Sequence, residues 1–187
     1  MPAPSQAEIL SRFAAIVRRS LHVEAAKVTP DAYLDDLGAE SLDLIEISMG
    51  AEEAFDIWLS EKSILQTAKD IFGQDVLEQN GLLTEAGKAL LAARMPELDA
   101  SALEGEVRVA SLNRQFMRVS GWVRMIEGLI AASPSVCPQC GGELAKAVTY
   151  KRKCARCQAE TSLVSGEELN RQWVAEYRAA TASLGPK

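Results

Sequence analysis

The sequence predicts a mainly α protein: a helical bundle over residues 1–95, then a helical pair carrying a small metal-binding β-hairpin over 96–187. Three observations support this. Apolar residues recur at helical spacing in successive stretches, with capping residues at their starts. All four cysteines fall into two Cys-x-x-Cys pairs near the C-terminus. Charge also divides unevenly: residues 1–95 hold 8 basic against 16 acidic side chains, a net of −8, and residues 96–187 hold 12 against 10, a net of +2.

The first helix opens on Ser5-Gln6-Ala7-Glu8, a capping box, and its apolar face is Ile9, Phe13, Ile16 and Val17. Arg18 and Arg19 suit its C-terminal dipole. His22, the only histidine, follows and is expected at the surface or an interface. Pro30 breaks the pattern, and residues 31–40 form a long loop whose Tyr33, Leu34 and Leu37 are expected to tuck into the core.

Asp36-Leu37-Gly38-Ala39-Glu40-Ser41-Leu42-Asp43 then leads into a second helix, over 41–55. Asp35, Asp36, Glu40, Asp43 and Glu46 surround the Ser41 hydroxyl, and no histidine lies nearby in sequence to act as its base. The helix carries two apolar stripes. Leu44, Ile47, Ala51 and Phe55 suit a core. Leu42, Ile45 and Met49 lie on nearly the opposite face, edged by Glu46, Glu52 and Glu53. One stripe is enough to cover a core. A second, bordered by carboxylates, suits docking with an apolar centre and a charged rim.

At these residues the sequence resembles the acyl carrier protein family, whose pattern Leu-Gly-x-Asp-Ser-Leu stands here as Leu37-Gly38-Ala39-Glu40-Ser41-Leu42. The likeness covers roughly residues 5–75 and departs at Glu40, which keeps the charge of the usual Asp on a longer side chain. The resemblance implies an acyl-carrier-like helical bundle. It also implies that Ser41 carries a 4′-phosphopantetheine arm through a phosphodiester, with an acyl group held on the arm's thiol. Leu42, Asp43, Ile45, Glu46, Met49, Glu52 and Glu53 would then meet partners: a phosphopantetheinyl transferase and the acyl-loading and acyl-accepting enzymes of fatty-acid, lipid or natural-product assembly. Helix capping alone is the plainer use of Ser41. A hydrolase reading lacks the Gly-x-Ser-x-Gly elbow and has only His22 as a base.

Beyond Trp58 the helical pattern continues from Ser60-Glu61-Lys62 through Ile64, Leu65, Ala68, Ile71, Phe72 and Val76. Asn80-Gly81 marks a turn. Thr84 opens a short helix that Pro96 stops. These residues are expected to widen the core or make room for an acyl chain. Residues 96–110 look like a linker. A strong helix is expected over 111–131, with Leu112, Phe116, Val119, Val123, Ile126 and Ile130 on one face. Its Arg114, Arg118 and Arg124 would either be solvated or dock on the acidic carrier helix.

Cys137-Pro138-Gln139-Cys140 and Cys154-Ala155-Arg156-Cys157 form two knuckles around a β-compatible stretch at 144–150, with a third strand expected over 161–164. Four thiolates with no spare cysteine match closed, structural zinc rather than catalytic zinc, which keeps a position open. The segment at about 134–164 resembles a zinc ribbon. A redox dithiol and an iron site of rubredoxin type are the alternatives. Lys146, Lys151, Lys153, Arg152 and Arg156 would offset the −2 charge of the centre or face a protein partner; nucleic-acid binding is not expected. A last helix capped by Ser165 places Leu169, Trp173, Tyr177 and Leu184 on one face, expected to pack on the 111–131 helix.

No apolar run reaches the ~18 residues of a membrane span, no signal peptide is apparent, and paired cysteines suit a reducing compartment. A cytoplasmic monomer that is not an enzyme is the resulting expectation. A ribbon adaptor for nucleic acid or protein, with an unmodified carrier-like half, is the alternative.

Overall fold

The computed structural model describes residues 4–147 and 150–182. Helix α1 (Gln6–Leu21) begins as its capping box predicts: Ser5 N donates to Glu8 Oε2 over 2.7 Å, and Glu8 N donates to Ser5 Oγ. It ends at His22, exposed in the left-handed region. Helix α2 (Ser41–Phe55) crosses it closely at Gly50, where a built Cβ would come within 2.8 Å of Ile16. Ile47, Ala51 and Phe55 are buried between them, with Leu44 half-buried at the edge.

The third wall of this core comes from far along the chain. Helix α6 (Val119–Ala132) inserts Val119, Val123, Ile126 and Leu129 against Phe13, Leu34 and Ile47. The helix expected over 111–131 therefore starts late. Residues 109–118 are short 3-10 turns, and Arg118 is extended. Two forces break the pattern there. Leu112 and Phe116 belong to a different core from Val119 and Val123, so one straight helix could not seat them all. The backbone also pairs with the long first loop: Leu34 N donates to Met117 O, Val119 N to Ala32 O, and Ser120 N to Pro30 O, all within 3.0 Å. Local helix propensity yields to these tertiary bonds.

A second core gathers α3 (Ile64–Phe72), α4 (Gln74–Leu77), the hairpin β1 (Glu78–Gln79) with β2 (Leu82–Leu83), α5 (Glu85–Arg94) and α7 (Gly166–Ala182). Helix α3 begins at Ile64, with Ser63 as its cap, rather than at residue 60. The stretch 96–110 is not a free linker: Val107 is buried, Leu83 N donates to Val107 O, and Val109 N donates to Gly81 O. Helix α7 packs mainly on α3, not on α6 as expected. Its Trp173, Val174 and Tyr177 face the second core, and Leu169 alone of its expected face touches the first. Leu184 lies outside the described residues. Both cores thus draw on residues before and after 96. No helix among the described residues is long and apolar enough to cross a membrane.

The ribbon is a three-stranded antiparallel sheet, β3 (Leu144–Lys146), β4 (Lys151–Cys154) and β5 (Glu160–Ser162). It falls between α6 and α7 in the chain; Val148 and Thr149 lie outside the described residues.

Candidate functional site

Ser41 is the first residue of α2, delivered by a tight turn. Gly38 sits there at φ 91°, a left-handed conformation that suits glycine. Ala39 N donates to Leu34 O, and Glu40 N donates to Asp43 Oδ2 over 2.8 Å. Asp43 therefore caps the helix start, and the serine oxygen is not spent on it. Ser41 is exposed, and among the described residues its Oγ has no hydrogen-bond partner. It borders a hollow of about 430 Å³ with Ala39, Glu40, Leu42, Leu44 and Met117. The first turn of a fifteen-residue helix presents free N–H groups and a positive dipole end, favourable to a phosphate on that oxygen.

Along the outward face of α2, Leu42 is 80% exposed, Ile45 57% and Met49 65%. Glu46 and Glu53 are exposed beside them and Asp43 is half-exposed. Glu52 is different. Its carboxylate accepts from Leu59 N at 2.9 Å and from the Tyr150 hydroxyl at 2.8 Å, so it is engaged within the chain.

The loop before Ser41 is held by the basic segment that precedes α6. Arg114 donates two hydrogen bonds to Asp36, at 2.9 and 2.6 Å, reaches Asp35 at 3.2 Å and lies over the Tyr33 ring. Arg118 pairs with Asp31. Arg114 and Arg118 thus do dock on the acidic half, at this loop rather than on the helix. Arg124 instead forks onto Glu97. Nothing in the sequence spacing signalled these pairings, which join residues about 80 positions apart.

At the other chemical centre, Cys137 Sγ lies 3.6 Å from Cys157 Sγ, Cys140 Sγ lies 3.5 Å from Cys154 Sγ, and all four sulfurs fall within 4.8 Å of one another. Four sulfurs at about 2.3 Å from one ion stand about 3.8 Å apart, so this donor set fits a closed tetrahedral site. The Cys157 backbone N–H, helped by that of Arg156, holds the Cys154 thiol down to about 6 against its desolvation. For Cys157 the Ala159 N–H pulls downward, yet hydrogen bonds among the crowded sulfurs, with partial desolvation, push it up to about 12. Four crowded sulfurs cannot all ionise alone; a divalent cation removes that conflict. The cluster and its three strands are consistent with a zinc ribbon.

The ribbon is locked to α2. Besides the Tyr150–Glu52 bond, the Tyr150 ring stacks on Trp58 at 4.6 Å, and Arg152 Nε donates to Asp56 Oδ2 at 2.9 Å.

The comparisons with known proteins agree with the geometry around Ser41. Residues 11–71 match the family model described as "Phosphopantetheine attachment site". An acyl carrier protein of Syntrophobacter fumaroxidans is 43% identical over 68 residues, which are 35% of this chain and 82% of the relative. One of Prochlorococcus marinus is 45% identical over 60 residues, 32% of this chain and 75% of the relative. No solved structure matches. With an unpartnered serine at the head of an acidic, outward-apolar helix, and with most of each relative's length matched, the chain belongs to the acyl carrier protein family.

Proposed function

We propose that this protein is a carrier and not a catalyst. Ser41 Oγ is joined through a phosphodiester to 4′-phosphopantetheine, and the arm's thiol holds an acyl group as a thioester for enzymes of fatty-acid, lipid or natural-product assembly. The observation that carries this reading is the free, exposed Ser41 Oγ at the start of α2, with capping left to Asp43. A phosphopantetheinyl transferase would deprotonate that oxygen, which attacks phosphorus in coenzyme A as the nucleotide portion leaves. Leu42, Asp43, Ile45, Glu46, Met49 and Glu53 form the face that partner enzymes would meet, and Glu52 supports it from within.

Cys137, Cys140, Cys154 and Cys157 hold zinc in this reading. With four protein ligands the ion has no open position, so its work is to fold the ribbon and fix it on α2. The ribbon then serves both stability and partner docking. Incubation with a phosphopantetheinyl transferase and coenzyme A, read by intact-mass spectrometry, should add one arm to the chain and none to Ser41→Ala. An arm still added to Ser41→Ala would refute the assignment.

A further inference from the structure

The ribbon leans on the C-terminal end of α2 with one face of its sheet. Lys146 and Arg152 are directly paired across β3 and β4 and so share a face. That face meets Asp56: Arg152 Nε donates to it at 2.9 Å, and Lys146 Nζ stands 3.8 Å away. Tyr150 takes Glu52. Two carboxylates that would continue the acidic border of α2 are therefore already engaged. Lys151 and Lys153 alternate with Arg152 and point to the other face of the sheet.

Beside this junction lies a hollow of about 470 Å³. Met49 lines it, Glu46 and Glu53 border it from α2, Arg19 from α1 and Lys146 from the ribbon. Among the described residues Arg19, Glu46 and Glu53 have no ion-pair partner. Both signs of charge thus remain unpaired around one exposed apolar side chain.

We propose that this hollow is a selective docking site for a partner protein of mixed charge. The partner would bring a basic group to Glu46 and Glu53, a carboxylate to Lys146 and Arg19, and an apolar side chain onto Met49. The same arrangement selects against enzymes that read an acidic helix with a uniformly basic face. Such a face would meet two like charges at Lys146 and Arg19, and would find Glu52 and Asp56 occupied. Complementary charge sets encounter rate and register, and like-charge contacts reject the wrong partner. This inference rests on the carrier reading and adds to it which enzymes the carrier admits.

The test uses the full chain, zinc-loaded and carrying its arm, with a malonyl-loading transferase of uniformly basic docking face as the probe. The arm is scored by mass before docking is measured, so a failure of the carrier reading shows separately, as an unmodified Ser41. Lys146→Glu should raise the probe's kcat/KM about fivefold at low salt, mainly through KM, with the gain fading at high salt. Arg19→Glu, on α1 and outside the ribbon, should act in the same direction even if ribbon variants misfold. Lys153→Glu makes the same charge change on the other sheet face and should have little effect. Single basic-to-Glu changes across the probe's docking face should include one that improves turnover of the unchanged chain and loses that benefit against Lys146→Glu. An unchanged kcat/KM in both Lys146→Glu and Arg19→Glu, or an equal gain in Lys153→Glu, overturns the proposal.

Discussion

The Tyr150 hydroxyl donates to Glu52 Oε2 over 2.8 Å, a bond between residues 98 positions apart that ties the ribbon to α2. The bond to Glu52, then desolvation, then the negative charge of Glu52 and Glu61 hold the Tyr150 phenol above its usual range. The sign follows from linkage: the folded chain favours the neutral phenol. Its contribution is complete below about pH 10, the unfolded value, and is lost as pH rises through the elevated folded value. Tyrosinate absorbance should show a late-titrating component that Tyr150→Phe lacks. In that variant the amide signals of Glu52 and Trp58 should move while those of Ser41 and Leu42 stay. A Tyr150 that titrates like free tyrosine would show that the contact does not hold in solution.

Metal removal should act along the same junction. Chelation is expected to collapse the amide signals of β3, β4 and β5, because so small a sheet cannot bury enough apolar surface to fold unaided. Through Tyr150 and Arg152 the disturbance should reach Glu52, Asp56 and Trp58, and it should fade before Ser41. Metal analysis should find one zinc per chain in reduced protein and none in Cys137→Ser/Cys154→Ser. Iron in place of zinc would contradict the choice of metal while leaving the four ligands as assigned.

What the sequence made legible was local. Ser5 with Glu8, the two stripes of α2, and the paired cysteines each declare themselves within a few residues, because capping, helical period and knuckle spacing are short-range physics. The choice of core is long-range. Leu112 and Val119 share one helical stripe on paper, yet the first packs with Leu90 and Leu91 and the second with Phe13 and Leu34. The backbone pairing of 117–120 with 30–34 enforces that break, and it too joins residues far apart in sequence. Helix α7 shows the same limit: its apolar face was evident, but that face alone does not say whether α3 or α6 will cover it.

The Arg114 fork predicts a charge effect on modification. Arg114 and Asp36 are both about half-exposed, so their pairing is screened by salt and contributes little to stability. The backbone bonds from Met117 and Val119 hold the loop without it. Arg114→Ala should therefore leave the fold intact and free two carboxylates beside Ser41. A transferase with a basic docking surface should then modify the variant about two- to fivefold faster at low salt, with the difference vanishing at high salt. A slower reaction at every salt concentration would mean that Arg114 positions the loop rather than masking its charge.

Helix α6 yields the sharpest test of how the chain divides. A boundary near residue 96 predicts that residues 1–96 fold alone as a carrier. The packing predicts otherwise, because Val119, Val123, Ile126 and Leu129 close the core over Phe13, Leu34 and Ile47. Each fully buried aliphatic side chain contributes about 1.5–3 kcal/mol, so losing four removes about 6–12 kcal/mol, comparable with the whole stability of an ordinary domain. Deleting residues 97–187 should thus abolish cooperative thermal unfolding and leave Ser41 on a mobile loop. Deleting the ribbon alone, by joining residue 133 to residue 165 through a short flexible linker, should keep α6 in place and preserve modification. A milder probe is Ile126→Ala, which should cost about 2–5 kcal/mol without touching Ser41 or any cysteine. If the 1–96 fragment unfolds cooperatively and accepts an arm at the full-length rate, α6 is dispensable and the division near residue 96 stands.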